Sequence, residues 1–313
     1  MRRTIGTVCA VLGAFLVVVA VLCQTWAAGQ LKKTPLDVDS VTRLSGSATQ
    51  YTQGGILPFP VKATSTTKAD SEASDDDVVV FKSSTCLVKD IDDVGDCVSA
   101  DDPQGRLLSA GFDDFATDRV TAEAVNDPEY LPAEAVEHEG VVNKWPFGAE
   151  KKTYTYWVPP AGVDAVYTRT EEIDGLETYV YQVEVTDVPV NLTDDIEGLY
   201  SETTEIWIEP VTGQIVDREG EQIRKLADGS PFLDLQLAFT DEQVATNVED
   251  ISSDRDRLNL VTKTVPLIGY AVGLPLLVLG VALLVLRRRD EAATPVRAGS
   301  SKDDGTHRET AQV

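Results

Sequence analysis

Two histidines, four cysteines and one methionine are all that 313 residues carry of the side chains that most often hold metals or turn over electrons. His307 lies in the C-terminal tail, and Cys9 and Cys23 lie in an apolar N-terminal run, so the body of the chain keeps only His138, Cys86 and Cys97. Two cysteines and one histidine make a poor zinc set, and no metal and no cofactor is expected. No G-x-S-x-G elbow, glycine-rich phosphate loop or nucleotide fingerprint occurs. A serine hydrolase with a histidine base would have to recruit His138, inside Glu137-His138-Glu139. We read that residue instead as a solvated histidine on a short acidic helix, and no catalytic residue is assigned. Cations are scarce too. Lys and Arg number 27 against 52 Asp and Glu, a net charge of −25. Such a surface repels nucleic acid and anionic headgroups, and no basic stripe relieves it, so a nucleic-acid partner is excluded.

Charge is absent altogether from two stretches. Val265 to Leu286 reads VPLIGYAVGLPLLVLGVALLVL. At about 1.5 Å per helical residue it covers roughly 33 Å, enough for a bilayer core. Arg287, Arg288 and Arg289 follow at once and mark the cytoplasmic side. Arg2 and Arg3 precede the second stretch, which is apolar from Ile5 to Leu22. A cleaved signal peptide and an uncleaved helix compete for it. The run is longer than a signal core of about 7–15 residues and no clean A-x-A site follows, so we favour the uncleaved helix. Gly6 and Gly13, and Gly273 and Gly280, sit at matching spacings, and Gly269 to Gly273 is a GxxxG. Small residues so placed allow close helix approach, although glycine is also ordinary in apolar helices. The expected layout is a cytoplasmic N-terminus (1–4), a transmembrane helix (5–28), an extracytoplasmic β-rich domain (29–239), a stalk helix (240–264), a transmembrane helix (265–286) and a disordered cytoplasmic tail (287–313). The chain is thus expected in the cell membrane, two-pass, with both termini cytoplasmic.

Outside the cytoplasm two cysteines most simply pair, so a Cys86–Cys97 disulfide is expected. Inside that loop, Asp90-x-Asp92-x-Val94-Gly95-Asp96 hints at a calcium site. Position five is Val, however, and position twelve is Asp101 rather than Glu, and an ordinary turn accounts for the same residues. Asn191-Leu192-Thr193 is a glycosylation sequon in form.

Most of the central segment reads as strands. Val78 to Phe81 is a core of β-formers running into Cys86, and Asp113 to Val125 is a further candidate. Thr153 to Val158 alternates and stops at Pro159-Pro160. Ala165–Arg169 and Thr178–Val185 flank Ile173-Asp174-Gly175, and Glu202–Glu209 and Gln214–Asp217 flank Pro210 to Gly213, two expected hairpins. Phe232 to Phe239 alternates. Gly54-Gly55 and Pro58-Phe59-Pro60 are expected to break the chain. Pro128 to Glu139 is expected as a short helix capped by Asn126 or Asp127. Thr240-x-x-Gln243 is a capping box that opens the stalk helix. The fold class is therefore a membrane-anchored, mainly antiparallel β (α+β) extracytoplasmic domain between two transmembrane helices.

Four local strings carry a resemblance: Lys144-Trp-Pro-Phe-Gly148, Tyr154-Thr-Tyr-Trp157, Asp174-Gly-Leu-Glu-Thr-Tyr179 and Trp207-Ile-Glu-Pro-Val-Thr-Gly213. With the helix–domain–helix layout, they make the chain similar to the actinobacterial membrane proteins of the porin A family. The resemblance implies an actinobacterial envelope location and supplies no catalytic or binding residue. Three function classes stand: a non-enzymatic envelope protein, a porin-like cation channel as the family label implies, and a carboxylate-dependent hydrolase. We favour the first, with the membrane and an envelope protein, lipid or glycan as partners. The chain alone is not expected to form a pore. Its strand candidates are short and acidic, and its two apolar runs offer only Thr7, Cys9 and Tyr270 as polar lining.

Overall fold

The computed structural model describes residues 2–193 and 196–292. The chain divides into two compact units, residues 1–25 with 263–313, and residues 26–262.

In the first unit, α1 (Arg2–Leu22) pairs with α4 (Val265–Ala292). Glycine sets how closely they approach. A β-carbon on Gly13 would run into Leu277 N and Gly273 O, one on Gly280 into Ala10, and one on Gly269 into Ala20. These contacts run antiparallel, and the small-residue spacing in the sequence is the seam of this pair. Tyr270 donates to Gln24 Oε1 at 2.9 Å. Val11, Phe15, Leu267 and Val278 point away from the seam and are exposed. Both helical stretches, Thr4–Leu31 and Asp241–Leu286, are long and apolar enough to cross a membrane by length and composition. α4 runs on through Ala292, past Leu286 where the apolar run ends. The rest of the expected tail, 293–313, lies outside the described residues.

The second unit is one ten-stranded antiparallel sheet. Its strands are β1 (Asp39–Thr52), β2 (Gly55–Asp70), β3 (Val78–Lys89), β4 (Leu107–Asp118), β5 (Tyr154–Val158), β6 (Ala161–Ile173), β7 (Leu176–Thr193), β8 (Ile196–Ile208), β9 (Ile215–Leu226) and β10 (Pro231–Phe239). Spatial order is β4-β3-β2-β1-β10-β9-β8-β7-β6-β5, two meanders joined where the first strand meets the last. The mainly antiparallel β reading holds. Both expected hairpins form, with Asp174, Gly175 and Gly213 at positive φ.

The sheet is curved. Gly46 and Gly220 both face Leu237 in the register, and a β-carbon on either would strike Gln236 O or Thr204 Oγ1. Glycine at a tight bend is the usual device. The chain from β4 to β5, residues 119–153, crosses the inner face. Its Val141, Trp145 and Ala149 pack on Tyr156, Tyr181, Val183, Ile206 and Ile208. Isolated bridges Thr117–Ala124, Glu123–Val141 and Val141–Tyr156 tie the two edge strands through this segment. The result is a half-barrel whose interior is filled at the crossover end. On the outer face α3 (Asp241–Asn259) lays Ile251 and Val248 against Leu176, Val180, Trp207 and Val216.

Two expectations are corrected. Pro58 and Pro60 do not break the chain, because β2 runs through both. Its pairing with β3 begins only at Val61–Lys89, and beyond it Asp90 N donates to Pro60 O, so neither proline is asked for an N–H on that side. Residues 128–139 form turns, not a helix. Asn126 accepts from His138 N at 3.0 Å and donates to His138 O at 2.8 Å, which closes the segment as a loop. Pro128 and Pro132 have no N–H to give a helix. The helix expected from the Thr240 capping box forms, and it also makes contacts with the sheet. Thr240 caps α3 through Gln243 N at 3.1 Å, but Gln243 reaches Arg43 N, and Asn247 holds Val216 O.

Candidate functional site

Register divides every strand of the sheet into two sets of side chains. On the inner face the β1, β2, β3, β4 and β10 half is apolar: Leu44, Ala48, Phe59, Val61, Ala63, Leu87, Leu108, Leu233, Leu235 and Leu237 form one cluster. On β8 and β9 the same face turns polar, with Tyr200, Glu202, Thr204, Arg218, Gln222 and Arg224. The outer face carries Lys62, Lys68, Lys82, Glu184, Glu205, Glu219, Glu221 and Asp234. This alternation is the period-two pattern of a strand with one face turned from water.

Two cavities open along the inner face. One, of about 400 Å³, lies among Tyr156, Val158, Pro159, Val190, Leu192 and Arg224. The other, of about 230 Å³, lies among Leu44, Ala63, Ser65, Thr85, Leu235 and Leu237. That second cavity touches β3 and β8, strands separated by four others in the sheet, which shows how far the sheet curls. Glu202, Arg218 and Gln222 line both.

Glu202 is 3% exposed and fully engaged. Arg218 Nη2 donates to its Oε1 at 3.0 Å, Thr204 Oγ1 donates to Oε1 at 2.6 Å, and the Tyr200 hydroxyl donates to Oε2. Burial, and then the adjacent carboxylate, hold the Tyr200 hydroxyl well above the usual phenol range. The group is a neutralised polar seam between an apolar wall and an aromatic one.

His138 is the plainest reversal of a sequence expectation. It is buried at 2% exposure, between Phe115 at 5.5 Å and Trp157 at 4.6 Å. Its Nε2 lies 2.9 Å from Asp113 Oδ2 and its Nδ1 2.8 Å from Val136 O. Each ring nitrogen is therefore taken by a neighbour within hydrogen-bond distance. Neither nitrogen is left to serve as a base toward a hydroxyl.

Lys144, in the crossover, is buried with its Nζ 3.6 Å from the Phe147 ring centroid. Burial pushes its amine down to about 7, against a distant pull from Asp254.

Cys86 and Cys97 are bonded, with Cα atoms 5.7 Å apart. Two acids of the hinted calcium loop are taken by the chain's own cations, Asp90 by Lys62 at 3.4 Å and Asp96 by Arg43 at 3.0 Å, and Asp92 accepts from Gln104 Nε2 at 3.4 Å. Val94, in the fifth position, is buried against Cys86 and Val88. No group of three or more metal-binding side chains gathers among the described residues. Asn191 of the sequon borders the larger cavity, and Thr193's side chain lies outside the described residues. Sequence reading missed Glu202, Arg218 and Arg224. The alternation of Phe232 to Phe239 flagged the apolar side of the cavity, but polar alternation on β8 and β9 looks the same whether it faces solvent or an interior.

Comparison with known proteins gives a family match. The family model described as Porin PorA matches residues 5–282. A protein of Corynebacterium amycolatum described as Porin PorA is 25% identical over 307 residues, which covers 84% of this chain and 73% of that one. Two solved structures show weak likeness. A putative outer membrane lipoprotein-sorting protein domain from Vibrio parahaemolyticus is 9% identical with a TM-score of 0.17, covering 71% of this chain and 95% of that one. A DUF1329 family protein from Desulfovibrio piger ATCC 29098 is 11% identical with a TM-score of 0.16, covering 73% and 91%. TM-scores this low carry no argument about fold or function.

Proposed function

The chain belongs to the porin PorA family, and on that premise we propose a non-enzymatic envelope protein, anchored by α1 and α4, whose β unit binds an envelope component on its inner face. The carrying observation is the direction of the alternation. A transmembrane β-barrel turns apolar residues outward to lipid and polar residues inward. This sheet does the reverse: leucines face the inside, and lysines and glutamates face out. A sheet of this kind suits water outside and an apolar guest inside. The exposed apolar surface of α1 and α4 supports the membrane anchor, because helices satisfy their backbone internally and need only apolar side chains outward. Arg2, Arg3 and Arg287 to Arg289 in the sequence support cytoplasmic termini on both sides of an extracytoplasmic domain (29–239).

Two measurements test this reading. A phosphatase fused after Val313 should be inactive outside the cell, and activity there would end the topology. Planar-bilayer recording on the purified full-length chain should give no reproducible steps. Cation-selective steps that vanish when outward acids are neutralised would install the channel reading in its place.

A further inference from the structure

The inner face reverses the charge sign of the chain. Across all residues acids outnumber bases by 25. Around the two cavities Arg218 and Arg224 face inward against Glu202 alone, and Lys89 faces inward from the end of β3 without lining either cavity. Arg218 and Glu202 cancel. Arg224 and Lys89 form no ion pair with a carboxylate of the described residues, although most of the outward cations around them do, as Lys62, Lys68, Lys82 and Lys225 show. Lys89 rests its ammonium 5.2 Å from the Phe59 ring centroid, at the border of the leucine wall. Two half-buried cations with no carboxylate partner among the described residues, beside a partly open apolar wall, are a match for one kind of molecule.

We propose that the inner face of the half-barrel holds a single-chain anionic lipid. This rests on the reading of the β unit as a binding domain. The acyl chain lies on the wall of Phe59, Leu233, Leu235 and Leu237, and the anionic head is held toward the hairpin ends by Arg224 and Lys89. Both cavities fall in or near the range of about 300–1,000 Å³ in which proteins hold small amphiphiles. The neutral Glu202–Arg218–Tyr200 seam lets polar and apolar parts of one ligand share the same groove, because none of its charges is left open to repel the chain or trap the head. The acidic exterior repels anionic bilayer surfaces, so the site takes up single molecules and does not dock the domain on a membrane.

The test uses the full chain in amphipol with a diazirine-bearing palmitic acid as probe. Photolysis and peptide mapping should place cross-links on β1, β2 and β10. Oleoyl lysophosphatidic acid should displace the probe, and sphingosine, a single-chain cation, should not. The double variant K89E/R224E, whose two positions are only half-buried, should weaken labelling at least tenfold with an unchanged far-ultraviolet circular dichroism spectrum. A conservative K89Q/R224Q variant should fall between the two, which separates loss of charge from loss of fold. Cross-links confined to α1 and α4, equal displacement by sphingosine, or wild-type labelling of K89E/R224E would each overturn the assignment. Failure of the wider reading would show elsewhere. A neutral glycan found in the cavity by native mass spectrometry of the isolated chain would remove the lipid and keep the binding domain, whereas bilayer conductance would remove both.

Discussion

Replacing Lys144 by methionine should stabilise the protein at neutral pH, and the gain should fade in alkali. Lys144 is 9% exposed, its ammonium faces the Phe147 ring, and Asp254 attracts it only from beyond ion-pair reach. Burial holds the amine at about 7 in the folded chain against 10.5 for a free lysine. At about 1.4 kcal/mol per pH unit the buried ammonium costs the fold roughly 5 kcal/mol below pH 7. Methionine fills the lysine's slot imperfectly, at about 1–2 kcal/mol, which leaves roughly 3 kcal/mol for Lys144→Met to recover. The sign follows from the protons. Between pH 7 and 10.5 the folded chain has released the proton and the unfolded chain still holds it. Unfolding therefore takes up a proton, and stability rises with pH through that window. Urea titrations of the full chain in detergent should be followed by tryptophan fluorescence, since Trp145, Trp157 and Trp207 are all buried in the β unit. The variant should exceed wild type by about 3 kcal/mol at pH 7, with the gap closing toward pH 10. A variant less stable than wild type at pH 7, or a gap constant with pH, would refute the argument.

Glu202→Gln keeps the shape of the polar seam but strips the half-buried Arg218 of its counter-ion, and should cost about 2 kcal/mol in the same urea titration, less than a fully buried pair because the arginine keeps part of its contact with water. Gly13→Leu should force α1 and α4 apart, because a β-carbon there already meets Leu277 N and Gly273 O. In a C9A/C23A background, the oxidative cross-link of a G6C/L283C pair in isolated membranes should be lost. Reducing the Cys86–Cys97 bond, or C86S/C97S, should lower unfolding free energy by about 3 kcal/mol in the chain-entropy account, and peptide mapping of the unreduced chain should recover the two cysteines joined.

Local chemistry made much of this fold legible. Thr240 opens a helix because its hydroxyl accepts from Gln243 N, and Asp174-Gly175 turns a hairpin because both residues take positive φ. Such signals act within a few residues and survive whatever surrounds them. What escaped the sequence depends on contacts from far along the chain. Pro58 and Pro60 are tolerated only because β3 stops at Lys89, some thirty residues later along the chain. His138 leaves solvent only because Asp113, Phe115 and Trp157 come from two strands at opposite edges of the sheet. Its acidic neighbours Glu137 and Glu139 signal a wet surface, and nothing within the loop contradicts them.

The same limit governs how this sheet compares with a transmembrane barrel. Alternation along β10 and β2 says that one face avoids water, and it says so identically for a barrel in lipid and a cup in water. What decides between them is which way the alternation points, and that is set by curvature. Curvature here comes from Gly46 and Gly220 flanking Leu237, two residues with no apolarity of their own and 174 positions apart in sequence. With the bend in that sense, Leu235 and Leu237 look inward and Glu219, Glu221 and Asp234 look out. Opening the bend the other way in a bilayer would bury those three acids in hydrocarbon at about 2–3 kcal/mol each, a sum comparable to a domain's whole margin. The glycine pair therefore bears on which face the leucines line, without itself touching any ligand. Substituting Gly46→Val should make the point: a chain that cannot curl there should lose its inner cavity and its fold together, seen as loss of the cooperative urea transition, while a cooperative transition at wild-type midpoint would show that the curvature has another origin.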